Sequence, residues 1–415
     1  MISIDEAIEM AVSETSRLEV EEVPILSAAG SVLAEDIHSD LDMPPFDKSS
    51  MDGYAVKAED CNADPAILAV VGTIPAGVYP HFRIQTGQAA KIMTGAPLPA
   101  GADSVQMVEK TEGVSNGKVK ILEAVSRGQN VASKSEIIQS GQRVLTKGTC
   151  VTPPVIGVLA VVGRNKVEIY RRPRVGILVT GDELVEIDQR PRAGQIRNSN
   201  GYALYHQVLA TGAVPELLGI VPDDTSSLRK VIGAALSKDV LLISGGVSMG
   251  EFDLVEDVLA ECKVETYYDK VNIKPGKPTV FGKSEHALVF GLPGNPVSAS
   301  TIFEIVVKPT LRKMMGFSRL HNLQVTAILE KDFRSKTRRQ NYQPAYTVLK
   351  NGTFFTSPLH SRGSADVMAF SRSNSYVIAP AEVDEYKQGQ TILTMLRDDF
   401  WQEGSNHFTP FYTAR

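Results

Sequence analysis

Between Val175 and Ser298 the chain alternates between apolar runs and loops of glycine and charge. VGILV runs into TGDEL, LLGIV into PDD, VLLIS into GGVSMGEFD, and ALVF into GLPGNP. Such runs, unbroken by polar residues, predict strands of a parallel sheet buried on both faces. Two stretches between them have helical spacing. SNGYALYHQVLATG places Leu204, Tyr205, Val208 and Leu209 inward, with Gly212 near its end. TSSLRKVIGAAL places Leu228, Val231, Ile232, Ala235 and Leu236 on one face, with Thr225 as its cap. Strands alternating with helices predict an α/β domain with a mainly parallel sheet over residues 166–318. The loops at the carboxyl ends of such strands are where an open sheet of this kind builds a site.

The rest of the chain follows other patterns. Ile4, Ala7, Ile8 and Val12 predict an amphipathic helix over 4–15, and VPILSAAGSVLAEDI predicts short strands and a turn. Pro44 and Pro45 break regular structure, and SSMDG is turn chemistry. From about Ala66 to Leu145 short strands separated by glycine and proline predict a β-rich domain. Segment 138–165 reads as extended and apolar, like the N-terminal stretch. The β-rich domain, 46–137, is therefore expected as an insertion in a discontinuous linker domain of 1–45 and 138–165. After Gly316, LQVTAILEK, AYTVLK, SYVIAPA and QTILTMLR predict a C-terminal β domain over 319–415. No repeat or low-complexity run is present, and the tail from Trp401 has no pattern.

Composition narrows the function. The 415 residues fit about three domains at ~150 residues each. A net charge of −5 argues against a broad nucleic-acid-binding face, so any lysine that binds phosphate acts locally. Cys61, Cys150 and Cys262 match no metal spacing and read as buried small hydrophobes in a reducing compartment. The N-terminus MISIDEAIEM is not a signal peptide, and the longest apolar run, Val155–Val162, is too short to span a bilayer. A cytoplasmic protein with no membrane partner is expected.

The loops combine both signs of charge. Asp182 and Glu183 follow one strand, Asp223 and Asp224 a second, and Asp253 a third. A single such carboxylate more often caps a helix or faces solvent. Their joint placement on one edge favours Mg²⁺, which takes oxygen ligands and keeps waters for substrate oxygens. Gly245, Gly246, Ser248 and Gly250 form a candidate backbone nest for an anion, without Walker A or dinucleotide spacing. Lys270, Lys274 and Lys277 lie in DKVNIKPGKP, where Pro275 and Pro278 stiffen the chain; the alternative is a solvated lysine loop. Gly294, Asn295 and Pro296 make a rigid strand-to-helix turn, a second anion candidate or a packing device. Ser298 lacks a nucleophile elbow, and the histidines form no zinc-hydrolase cluster.

Six segments carry a resemblance over nearly the whole chain: FDKSSMDGYAV (46–56), KIMTGAPLPAGAD (91–103), TGDEL (180–184), SGGVSMGEFD (244–253), IKPGKP (273–278) and GLPGNPVSA (291–299). Together they resemble the molybdopterin molybdenumtransferase family of the MoeA type, related to the E domain of gephyrin. The resemblance implies a homodimer of elongated subunits. Each has a linker domain, an inserted β-rich domain, an α/β molybdopterin-binding domain and a C-terminal β-barrel. It implies Mg²⁺-dependent insertion of molybdate into adenylylated molybdopterin with release of AMP, and a transient contact with the molybdopterin adenylyltransferase. Glu183, Asp223 and Asp253 match its acidic positions, as metal or molybdate ligands. Lys270 and Lys274, with Lys277, match its basic ones. Asp52 and Thr94 match residues contributed across the dimer.

Two departures stand out. The family's Arg-x-x-Gly-x-Asp after Gly128-Gln129-Asn130 is replaced by Ala132, Ser133, Lys134, Ser135, Glu136 and Ile137, with Lys134 and Glu136 as neighbouring substitutes. Pro344 stands where an arginine is expected. These changes motivate a second reading, a non-catalytic molybdopterin-binding or scaffold paralogue. A nucleotide-pyrophosphate hydrolase is a third.

Overall fold

The computed structural model describes residues 1–63, 65–114, 116–246, 254–335 and 337–401. The chain divides into two compact units. One comprises Met1–Glu22, Gly30–Ala34 and the chain from Glu168 onward; the other comprises Val23–Ala29 and Glu35–Val167.

The first unit contains a six-stranded sheet in the order Val214–Val221, Arg174–Thr180, Val240–Ser244, Leu288–Leu292, Pro278–Lys283, Glu265–Lys270. The first four strands are mutually parallel and the last two antiparallel. Both faces of the three inner strands are covered, which is why their apolar runs do not alternate; the edge strand Val214–Val221 is mostly half-buried or exposed. Val240 and Leu242 join one core with Leu204, Val208 and Phe303, while Leu241 and Ile243 join another with Leu228, Ile232 and Val258.

The helices follow their apolar faces with three adjustments. In Asn200–Thr211, Leu204 and Val208 are buried but Leu209 is half exposed. Gly212 ends that helix at a φ of +96°, a left-handed conformation that costs glycine nothing. The helix Thr225–Ala235 is capped by Asp224, not Thr225: the Asp224 carboxylate accepts from Ser227 N at 2.9 Å. Its oxygen reaches the free N–H groups better because Asp224 sits one residue outside the helix. The N-terminal helix spans Ile4–Ser13 behind a Ser3/Glu6 capping box and buries Ile4, Ala7 and Ala11.

The same unit ends in a closed barrel. Gln340–Lys350 pairs with Thr353–Pro358, which pairs with Gln324–Leu329, then Thr391–Leu396, then Ser375–Ala379, which returns to Gln340–Lys350. Closure leaves no free edge among these strands.

The second unit is built on a mixed sheet ordered Ser104–Met107, Gly53–Val56, Gln88–Ile92, Ala66–Ile74, Lys118–Ile121, Thr111–Val114. The stretch expected to be extended over 138–165 instead contains the helix Pro153–Val161. Pro153 at its first position is compatible with a helix, because the first N–H has no partner in any case. Cys61 is buried, which pushes its thiol up to about 11, but Cys150 is exposed. No helix among the described residues is long and apolar enough to cross a membrane.

Candidate functional site

Register fixes one rim. Thr180 is paired with Val221, Val179 with Ser244, and Ser244 with Leu292, so these strands end side by side. The antiparallel pairs Val280–Gly291 and Lys270–Pro278 bring the start of Pro278–Lys283 and the end of Glu265–Lys270 to the same edge. In sheet order the rim therefore reads Asp223, then Asp182 and Glu183, then Gly245 and Gly246, then Gly294 and Asn295, then Lys277 and Lys274, then Lys270. Carboxylates lie at one end, ammonium groups at the other and glycines between.

At the acidic end, the Thr180 hydroxyl lies between the Val221 carbonyl, at 2.9 Å, and the Asp223 carboxylate. Asp223 N donates to Asp182 Oδ1 at 3.2 Å. Glu183 folds over Gly181: a Cβ there would stand 2.5 Å from Glu183 Oε2. The donors are all carboxylate oxygens, which suits a hard dication. Asp253, Ser248 and Gly250 lie outside the described residues. Among the described residues no three His, Cys, Asp or Glu side chains group as metal ligands.

Among the described residues the centre is lined by glycines. Gly245 has a φ of +99°, and a Cβ on it would lie 2.3 Å from the Thr180 carbonyl oxygen. Gly294 faces it, its notional Cβ 3.8 Å from Gly245 Cα. Asn200, not singled out from sequence, ties these loops together. Its amide donates to Ser244 Oγ at 2.8 Å and to Gly294 O at 2.7 Å. Because the Gly294 carbonyl can only accept, the amide orientation is fixed, and the buried Oδ1 has no hydrogen-bond partner. A polar residue at the very start of a helix that follows a strand-edge loop was the available signal.

The lysines separate. Lys270 pairs with Asp269 at 2.7 Å, a contact that raises its pKa. Lys274 and Lys277 instead line a cavity of about 450 Å³ between the rim and the barrel. Asn295, Ser298, Arg339 and Ser364 share its wall, and so does Pro344. Val297 N donates to Ser364 O at 3.0 Å, so this N–H after the Gly294-Asn295-Pro296 turn is satisfied within the chain. Arg339 and Ser364 were missed because the barrel sequence carries no motif for them.

In the second unit, Asp52 Oδ1 accepts from Thr94 N at 2.7 Å and Thr94 Oγ1 at 3.1 Å. These bonds hold the Asp52 carboxyl below its ordinary pKa. Gly53 is required beside it, since a Cβ would lie 1.8 Å from Gln106 O. The altered loop is held by bonds of its own and to the 42–47 segment. Lys134 Nζ pairs with Asp42 at 3.2 Å, Glu136 accepts from Ser133 N at 2.8 Å, and Ser135 holds a φ of +62°. Ile137 is 62% exposed. Lys134 thus ties this loop to the 42–47 segment, while Glu136 bonds within the loop.

Known proteins share this architecture. Residues 2–163 match the MoeA N-terminal region (domains I and II), 176–313 a probable molybdopterin binding domain, and 326–396 the MoeA C-terminal region (domain IV). The molybdopterin molybdenumtransferase of Bacillus subtilis is 33% identical over 95% of this chain and 94% of its own. That of a Nostoc species is 36% identical over 92% and 89%. The solved molybdopterin biosynthesis moeA protein of Pyrococcus horikoshii superposes with a TM-score of 0.82 at 34% identity, covering 95% of this chain and 99% of that one. With three consecutive domain matches and full-length relatives of this kind, the chain belongs to the molybdopterin molybdenumtransferase family of the MoeA type.

Proposed function

We propose that the protein is a molybdenum cofactor biosynthetic transferase. It inserts molybdate into adenylylated molybdopterin with Mg²⁺-dependent release of AMP. The observation that carries this reading is the order of charge along the rim. Carboxylates and lysines stand on opposite sides of a glycine centre, which suits a substrate with a metal-bound phosphate at one end and a free oxyanion at the other. From the Thr180 strand to the Pro278 strand is three sheet steps, roughly 14 Å at ~4.8 Å per step.

Asp223 and Glu183, with Asp182 beside them and Asp253 from outside the described residues, would hold Mg²⁺. When bound, it neutralises charge developing on the departing AMP phosphate. The Thr180 hydroxyl orients the Asp223 carboxylate. Gly245 and Gly294 let a pyrophosphate approach the backbone, and Asn200 fixes the spacing of their loops. Lys274 and Lys277 bind the anionic end, while Lys270, paired with Asp269, adds positive potential at a distance. The reading also includes a homodimer in which Asp52 and Thr94 serve the partner subunit's site, and a transient encounter with the adenylyltransferase.

The test is AMP release from adenylylated molybdopterin with Mg²⁺ and molybdate, by the wild type and by Asp223→Asn. Loss of turnover in the variant with its circular dichroism unchanged supports the reading. Tight pterin binding by the wild type without AMP release would favour the non-catalytic scaffold, which the uncharged Ala132 and Ile137 positions motivate.

A further inference from the structure

A second cavity, of about 420 Å³, lies between the N-terminal helix Ile4–Ser13, the π-helical turn Phe303–Val307 and the barrel, and no rim residue lines it. Its charge is of one sign. Asp5 and Glu9 line it from the first helix and Glu304 from the second, and its wall contains no lysine or arginine. Burial and the Arg312 charge hold His321, also on the wall, below its ordinary pKa, so it is uncharged at neutral pH. Asp5 and Glu9 stand one helical turn apart, where like charges repel. Glu14, at the end of the same helix, pairs with Lys283 at 2.9 Å, but no ion pair among the described residues involves Asp5 or Glu9.

An exposed acidic face is ordinarily satisfied by water. Asn322 sets this one apart. It is 6% exposed and shares the cavity wall. Its Nδ2 donates to Glu304 Oε2 at 2.9 Å. Glu304, ionised beside Lys308, can only accept, so the amide cannot be turned round. The Asn322 Oδ1 is therefore buried without a donor, a costly arrangement that native structures seldom leave unanswered. The missing charge is positive and the missing hydrogen-bond partner is a donor; a nitrogen cation bearing N–H groups supplies both. Ile8, Val12 and Met395 add apolar wall, which an aliphatic stem would cover. A metal ion fits less well, since no three ligand side chains group among the described residues.

We propose that this cavity binds an organic cation, an alkylammonium or alkylguanidinium. Its nitrogen donates to Asn322 Oδ1 and is offset by Asp5 and Glu9, and its stem lies along Ile8, Val12 and Met395. The site is independent of the reading of the rim. A free alkylamine and a lysine or arginine side chain of a partner protein share this chemistry.

Isothermal titration of the whole protein with n-butylammonium and n-butylguanidinium chlorides tests it. Binding of at least one is expected. The stem without the charge, n-butanol, should give no binding, and tetramethylammonium, a charge without an N–H, should bind more weakly. The double variant Asp5→Asn, Glu9→Gln alters only exposed positions. It should weaken the tighter cation about 10-fold, the lower end for a charge-assisted bond. Asn322→Ala should weaken it by a similar factor; if that variant does not fold, the double variant decides alone. Tighter binding of Nα-acetyl-lysine amide than of putrescine identifies a protein side chain as the source, and the reverse a free amine. No binding of either cation to the wild type, tetramethylammonium binding as tightly, or wild-type affinity in a folded variant overturns the proposal.

Discussion

Replacing Thr180 by valine removes one hydroxyl and keeps the β-branched shape of the strand. Thr180 is 3% exposed, and its hydroxyl lies against both the Val221 carbonyl and the Asp223 carboxylate. A net hydrogen bond is worth about 0.5–1.5 kcal/mol, and one to a charged group about 1.5–3. Its single proton serves one acceptor at a time, so Thr180→Val should cost about 1–3 kcal/mol of stability in urea unfolding. The functional effect is more selective. A residue that orients a metal-binding carboxylate typically changes metal affinity by about 10- to 100-fold. The Mg²⁺ concentration giving half-maximal AMP release should therefore rise by about that factor. The rate at saturating Mg²⁺ should remain close to wild type. Thr180→Ser, which keeps the hydroxyl, should restore the Mg²⁺ response. An unchanged half-saturating Mg²⁺ concentration in a folded Thr180→Val protein would refute the role assigned to Asp223.

Four further outcomes follow from the geometry. A methyl group at 294 meets only ordinary contact with Gly245, so Gly294→Ala should fold normally and lose substrate affinity; the clash of a Gly245 Cβ with the Thr180 carbonyl makes Gly245→Ala destabilising in thermal melts. Glu304 is buried and bonded to Lys308 at 3.0 Å and Asn322 at 2.9 Å. Burial alone would raise its pKa, but the Lys308 charge and these bonds hold it below 4.5. Its stabilisation is therefore present above about pH 4.5 and lost as pH falls through the lowered folded value. Glu304→Gln should flatten that acid limb of the melting curve and cost about 1.5–3 kcal/mol at neutral pH, the worth of a hydrogen bond to a charged group, because the 3% exposed Lys308 keeps its second partner, Asp398, at 2.7 Å. Lys134→Met should leave AMP release within about twofold of wild type, because its ammonium serves a partly exposed pair with Asp42.

The parts of the molecule most legible in sequence were those governed by local pattern. Four apolar runs became the four parallel strands; three are buried on both faces, which leaves no room for alternation, while LLGIV forms the edge strand Val214–Val221, where Leu217 is 38% exposed. The C-terminal strands were equally visible, but their closure into a barrel depends on the long-range pairing of Gln340–Lys350 with Ser375–Ala379, which no local signal encodes. The helix Pro153–Val161 was hidden by a uniformly apolar stretch with almost no amphipathic contrast. Site residues divided in the same way. Glycines and carboxylates at strand ends announce themselves by spacing, whereas Arg339, Ser364 and Asn200 matter only through partners tens of residues away. Lys270 was legible in the same way, but its pairing with the adjacent Asp269 was not.

The most direct measurement is single-turnover stoichiometry: protein loaded with adenylylated molybdopterin, mixed with molybdate, and assayed together for AMP released and molybdenum bound to the pterin. Equal amounts of both, dependent on Mg²⁺ and lost in Asp223→Asn, are expected. AMP released without molybdenum on the pterin would point to a hydrolase, and pterin retained with its AMP intact would point to a binding protein; either contradicts the proposed transfer.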